Sequence, residues 1–168
     1  YPHNLGEGKL QGAQENDFNY YKGCILQAMG QNNEAQIFFQ KACAGNNQPV
    51  AAMYYNDQKP DKVFYQGLAL LKLGNEGKAC SCFNRLIDFG EKHLFDIFKM
   101  DYFAVSLPDL QIWEDDMNRK NRVHCNYLMG LGHLGLGHVE KAKTYFGIAS
   151  ELDNNHQGVQ IHSEMINE

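Results

Sequence analysis

The sequence predicts an all-α protein, a solenoid of three helical hairpins with two insertions and a C-terminal capping helix. Three observations lead there. One set of residues recurs three times at a single spacing. That spacing has a helical period. The composition is that of a folded chain, with 43% of the 168 residues hydrophobic, 21% charged and only four prolines.

Gly23, Gly30, Ala35, Phe39 and Ala42 form the first set. Gly67, Gly74, Ala79, Phe83 and Leu86 form the second, and Gly130, Gly137, Ala142, Phe146 and Ala149 the third. Each runs glycine, glycine at +7, alanine at +12, phenylalanine at +16 and a small or aliphatic residue at +19. Two glycines, an alanine and a phenylalanine at those offsets are expected by chance in roughly 0.006 windows of such a chain. Three occurrences are therefore a repeat.

Helix geometry gives the spacing its meaning. The first glycine sits inside a helix, at a cost of about 1 kcal/mol against alanine. It is tolerated where a bare backbone lets a neighbour approach closely. The glycine at +7 ends that helix, where a left-handed residue is needed. Alanine and phenylalanine at +12 and +16 fall on one face of the next helix. The unit is a helical hairpin that buries its apolar face against the next hairpin.

On these residues the chain resembles the tetratricopeptide repeat. The resemblance is carried by Tyr20–Gly23 through Ala42, by Phe64–Gly67 through Leu86 and by Tyr127–Gly130 through Ala149. Two departures are visible. The proline usual after the second helix is replaced by Asn154-Asn155 in the third repeat, and the usual early tryptophan by tyrosine or phenylalanine. The stretches Tyr1–Leu10, Met53–Asp57 and Asp101–Leu110 further resemble the C-terminal repeat region of large bacterial proteins that carry a β-rich domain of unknown function upstream. That resemblance implies no activity. Tyr1-Pro2-His3 also lacks a starting Met, so the chain reads as a fragment or a processed product.

The repeats are unevenly spaced, their first glycines standing at 23, 67 and 130. The boundaries that follow are repeats at about 16–49, 60–93 and 123–156 within one domain over 1–168, with insertions at about 50–59 and 94–122. In the first insertion Ala51–Asn56 can form an extra helical turn or two. Before the second, Leu86, Gly90, Leu94 and Phe98 continue a helical stripe, which carries the preceding helix to about Lys99. Asp101–Trp113 loses that period and reads as an extended segment or ordered loop. Glu114–Arg122 is the polar start of a long helix into the third repeat, its acids placed to cap it. The capping helix falls near Gln157–Met165.

In the architecture that the resemblance implies, the first helix of each hairpin lines a concave groove where peptides bind. The positions three before and one after each first glycine face it: Tyr20 and Cys24, Phe64 and Leu68, Tyr127 and Leu131. These make an aromatic and aliphatic groove. It lacks the Lys, Arg and Asn with which repeats of this kind clamp acidic C-terminal tails. The groove is expected to be filled from within, because Phe103, Leu107 and Trp113 belong to a run of apolar residues too dense for a solvated loop; an open peptide-binding groove is the alternative.

Other chemistries are excluded one by one. Fifteen Lys and Arg against twenty Asp and Glu, with no basic stripe, argue against nucleic acid. No apolar run reaches the roughly 18–20 residues that a membrane span needs. The five cysteines include no CxxC pair, and Cys80 and Cys82 point to different faces of a helix. They read as core thiols in a reducing compartment, with the cytoplasm favoured. His133 and His138 straddle Gly137 but show no HExxH or His-x-His spacing, so no metal is expected. No catalytic motif occurs, and Gly130 to Gly137 precedes a helix end rather than following a strand.

The expectation is therefore a non-catalytic protein-interaction or scaffold module without cofactors. It packs on the rest of its own chain, for example an upstream domain, or forms a homo-oligomer. The alternatives are a peptide receptor using the groove and an accessory domain of an enzyme whose active site lies upstream.

Overall fold

The computed structural model describes residues 14–51, 59–98 and 116–166. These residues form seven helices and no strand: α1 Asn16–Ala28, α2 Asn32–Ala42, α3 Asp61–Lys72, α4 Glu76–His93, α5 Met117–Gly135, α6 Val139–Leu152 and α7 Gln157–Glu164. The chain divides into two compact units, Tyr1–Phe83 and Asn84–Glu168, with the division inside α4. The all-α helical-repeat fold is as expected.

Each hairpin is closed by the same two devices. The first is the glycine at +7. Gly30, Gly74 and Gly137 have φ of +78°, +73° and +73°, the left-handed conformation that ends a helix. The residue after each glycine donates its N–H to a carbonyl five residues back: Gln31 to Leu26 at 2.9 Å, Asn75 to Leu70 at 2.8 Å and His138 to His133 at 2.9 Å. These are three Schellman turns, and they satisfy carbonyls that the helix leaves without partners.

The second device is the glycine at the head of each set. The ring of Phe39 lies on Gly23, that of Phe83 on Gly67 and that of Phe146 on Gly130. A Cβ on these glycines would stand 2.6, 2.4 and 2.4 Å from the ring. The notch in the first helix thus receives the phenylalanine of the second. Ala35, Ala79 and Ala142, one turn earlier, are fully buried in the same seams.

In the first unit, two buried amides fasten the exit of α2. Asn16 Nδ2 donates to the Ala42 carbonyl at 2.7 Å and to that of Ala44 at 2.8 Å. Gln66 Nε2, on α3, donates to the carbonyls of Ala44 at 3.0 Å and Asn46 at 3.2 Å. The free carbonyls beyond α2 are thereby tied to the helices on both sides.

In the second unit, α5 opens as the acids before it suggest. Asp116 is the N-cap, its Oδ1 accepting from Arg119 N at 2.9 Å. Arg119 in turn donates through Nε to the Leu152 carbonyl at 2.7 Å, which closes the end of α6. The capping helix α7 starts at Gln157 as expected. His156 is its N-cap, Nδ1 accepting from Val159 N at 3.1 Å.

One helix ends earlier than its pattern. The apolar stripe carries α4 to about Lys99, yet α4 stops at His93. Three partners compete for the continuing turn. Asn121 Nδ2 takes the His93 carbonyl at 2.7 Å, His93 Nδ1 pairs with Asp96 Oδ2 at 2.6 Å, and Phe98 N donates to Asn118 Oδ1 at 2.8 Å. Side-chain hydrogen bonds here replace the helical ladder. Phe95 and Ile97 beyond it are exposed. The extra turn expected near Ala51–Asn56 and the Phe103, Leu107 and Trp113 segment lie outside the described residues.

Candidate interaction site

The six groove positions differ in accessibility. Tyr20, Cys24 and Leu68 are half-buried, whereas Phe64, Tyr127 and Leu131 are 1%, 2% and 0% exposed. All six are expected to face a groove, whether open or filled from within; Phe64, Tyr127 and Leu131 offer almost no accessible surface, and only Tyr20, Cys24 and Leu68 do. For the aromatic positions the hairpin seam supplies part of the cover. A residue three before the glycine lies one turn up the same helix face, so its ring reaches the phenylalanine seated on the glycine. Ring centroids are 6.1 Å apart for Tyr20–Phe39, 5.9 Å for Phe64–Phe83 and 6.1 Å for Tyr127–Phe146.

Tyr127 has a further occupant above it. His156 lies 4.7 Å and His162 5.7 Å from its ring, and Gly158 is so close that a Cβ would stand 2.5 Å from the phenol oxygen. His162 Nδ1 is 2.7 Å from the Gly158 carbonyl and 3.0 Å from Tyr127 Oη. A carbonyl can only accept, so Nδ1 carries the proton and Tyr127 shares it. The capping helix therefore covers Tyr127.

Tyr20 and Cys24 remain at the surface of α1. Burial first, then the neighbouring Cys24 and Tyr21, push the Tyr20 phenol above its ordinary range. It stays a neutral, largely apolar surface at physiological pH. Beside it, Lys62 on α3 reaches the Asp17 carboxylate. Burial alone would raise the Asp17 pKa. The Lys62 hydrogen bond, the backbone amides and the Lys62 charge together outweigh that and lower it.

The strongest feature that the repeat spacing did not reveal lies on another face of α1. Phe18, Ile25 and Met29 are 65%, 61% and 67% exposed, with Tyr21 between them partly covered. They stand at i, i+3, i+7 and i+11, one continuous stripe along the helix. Isolated exposed apolar residues are ordinary, but a whole stripe on one helix is not. The i, i+3, i+7 signal was available in the sequence, hidden among the equally apolar residues that pack the hairpin.

The histidines and cysteines offer little chemistry. His133 Nδ1 and His138 Nδ1 are 3.3 Å apart, so one imidazole must donate to the other. Tyr145 stacks on His133 at 5.4 Å. Burial first, then Lys141 and His138, lower the His133 pKa against an opposing pull from Glu91. Among the described residues no group of three or more metal-ligating side chains converges. All five cysteines are free thiols. Cys82 is buried and Cys80 exposed, which agrees with the different faces expected, though Cys80 is not a core residue. Burial pushes Cys43 up to about 11 and Cys125 up to about 12, leaving both poor thiolates. Between α6 and α7 a shallow open cleft is lined by Lys143, Phe146, Ser150 and Gln160 among others, with no buried charge in it. No helix among the described residues is long and apolar enough to cross a membrane.

Comparison with known families agrees with the geometry. Residues 17–44 and residues 63–88 each match a family model of the tetratricopeptide repeat. No solved structure matches the chain. Repeats of this family generally mediate protein–protein interaction.

Proposed function

We propose that this chain, which belongs to the tetratricopeptide-repeat family, works as a non-catalytic scaffold that packs on another protein surface, either the rest of its own polypeptide or a further copy of itself. The observation that carries this reading is the apolar stripe of Phe18, Tyr21, Ile25 and Met29 on α1. An exposed stripe of that size is stabilised by meeting another apolar surface, at roughly 25 cal/mol for each Å² removed from water. Half of the groove positions being buried weighs against the alternative of a peptide receptor. Tyr20, Cys24 and Leu68 are what that receptor would have left to offer.

The test is a comparison of two interaction modes. Sedimentation over a wide concentration range reads self-association. Calorimetric titration with a panel of extended apolar peptides reads groove binding. Self-association, or dye binding at the α1 stripe without peptide affinity, supports the scaffold. Saturable peptide binding that Leu68→Glu abolishes would favour the receptor instead.

A further inference from the structure

We propose that α7 is a cover that acid lifts: protonation of His156 undoes the cap on which the helix starts, α7 unwinds from α5 and α6, and Tyr127 is uncovered. This device lies wholly within the second unit and is independent of the scaffold reading, which rests on α1.

α7 has only eight residues, Gln157–Glu164. Helices shorter than about 12–15 residues are marginal in water on their own. α7 therefore depends on its cap and on what it packs against. Val159 and His162 are its buried residues, and the backbone of Gly158 lies against the phenol of Tyr127. The side chain that caps it is His156, whose Nδ1 accepts from Val159 N at 3.1 Å. Serine, threonine and asparagine caps hold one protonation state, whereas an imidazole cap titrates near neutral pH.

Protonation acts on this cap twice. To accept at Nδ1, the neutral ring holds its one proton on Nε2. A second proton can only go on Nδ1, where it meets the Val159 N–H, donor against donor. The ring also becomes a cation at a helix N-terminus, where the dipole favours an anion. His162 differs. Its Nδ1 donates to the Gly158 carbonyl at 2.7 Å, and that bond survives a proton on Nε2. His156 is thus the group that acid turns against the helix.

The groups around His156 pull both ways. The Tyr127 ring on α5, its centroid 4.7 Å away, is within reach of a cation–π contact, and Asp153, just ahead of α7, attracts a cation. Arg119 on α5 stands at the Leu152 carbonyl, and Lys143 on α6 lines the cleft beside α7, paired with Glu140. α7 itself carries His162 and Glu164. Burial outweighs Asp153, and the His156 pKa lies below its ordinary 6.5. Such a base supports the folded form above 6.5 and withdraws that support as pH falls through the folded value.

What α7 leaves behind is the third-repeat counterpart of Tyr20. Tyr20 keeps part of its surface, whereas Tyr127 is 2% exposed, with His156, Gly158 and His162 over it. Once α7 has unwound, an aromatic position closed at neutral pH is open to contact.

Amide and Cα chemical shifts of residues 157–164, followed by NMR from about pH 7.5 to about pH 5, test this. They should leave helical values with a midpoint below 6.5, shared with the titration of the His156 ring. His156→Asn supplies a cap that does not titrate, and α7 should then stay helical to about pH 5. His133→Leu with His138→Gln should leave the release of α7 unchanged. A helical α7 throughout the range in the parent overturns the proposal. So does unwinding with an unchanged midpoint in His156→Asn, which would assign the release to another group. If His156→Asn unwinds α7 already at about pH 7.5, the parent decides: coinciding midpoints of ring and helix support the proposal, and differing ones overturn it.

Discussion

Phe146 lies on the backbone of Gly130, so close that a Cβ there would stand 2.4 Å from two ring atoms. Phe146 is 2% exposed, so the ring is enclosed on most sides. Two effects oppose each other when Gly130 is replaced. Valine, being β-branched, gains only about 0.3 kcal/mol of helix propensity over glycine. Overpacking a closed seam costs about 1–3 kcal/mol or more. The second wins for a branched residue. Gly130→Val should therefore lower stability by about 1–3 kcal/mol, read as a drop in Tm by circular dichroism. A variant melting within a degree of the parent would show that the ring has room to yield.

His133 and His156 predict a pH dependence. The folded pKa of His133 is depressed below its ordinary 6.5 by burial, Lys141 and His138. That of His156 is also depressed, by burial against the pull of Asp153. A base depressed in the folded state binds fewer protons there than in the unfolded chain. Its contribution is then present above pH 6.5 and is lost as pH falls through the folded value. Tm should decline as pH falls below 6.5. The double variant His133→Leu with His138→Gln copies the Leu26 and Gln31 pair of the first turn and should remove the part of that decline due to His133, leaving the part due to His156. An unchanged slope in the double variant would place the titrating groups elsewhere.

The Asp17–Lys62 pair works in a separate window. The Asp17 pKa is lowered from its ordinary 3.8, so the pair's contribution is present above pH 3.8 and fades below it. It does not enter the histidine experiment. Lys62 is nearly buried, and removing its charged partner should cost about 1.5–3 kcal/mol. Asp17→Asn measured by urea denaturation near neutral pH tests this. Adding Lys62→Met should recover part of the loss, since a buried ammonium without its partner is what makes the single change costly.

Trp113 is the chain's one tryptophan, and its emission reports the second insertion alone. With Phe103 and Leu107 it is expected to lie against the protein. Burying a large ring contributes roughly 1.5–3 kcal/mol. Blue-shifted, quencher-resistant emission at low protein concentration is the expected result. A shift that grows with concentration would place the ring between two copies, and red, freely quenched emission would leave it in solvent.

Much of the fold was legible in local spacing. The glycine at +7 ends each first helix because only a residue free of a Cβ adopts φ near +73° without strain. The alanine and phenylalanine at +12 and +16 mark the second helix because four residues return the chain to the same face. Such rules act over a few turns, and they placed Gly30, Gly74 and Gly137 and the start of α7, and marked Glu114–Asp116 as the acids at the start of α5. The end of α4 was not legible. It depends on Asn121, 28 residues away, taking the carbonyl of His93.

The candidate site shows the same division more sharply. Period and composition marked Tyr20, Phe64 and Tyr127 as equivalent aromatic positions on three first helices. Only tertiary structure decided that Tyr127 lies under α7 while Tyr20 keeps surface. Likewise Phe18 and Lys62 hold one repeat position, and nothing local distinguishes their surroundings. Lys62 is buried because a hairpin precedes it, and Phe18 is exposed because no described helix does. A repeat sequence specifies each hairpin's own seam from contacts within a few turns. Which faces stay open depends on what lies before and after, through contacts between residues distant in the chain.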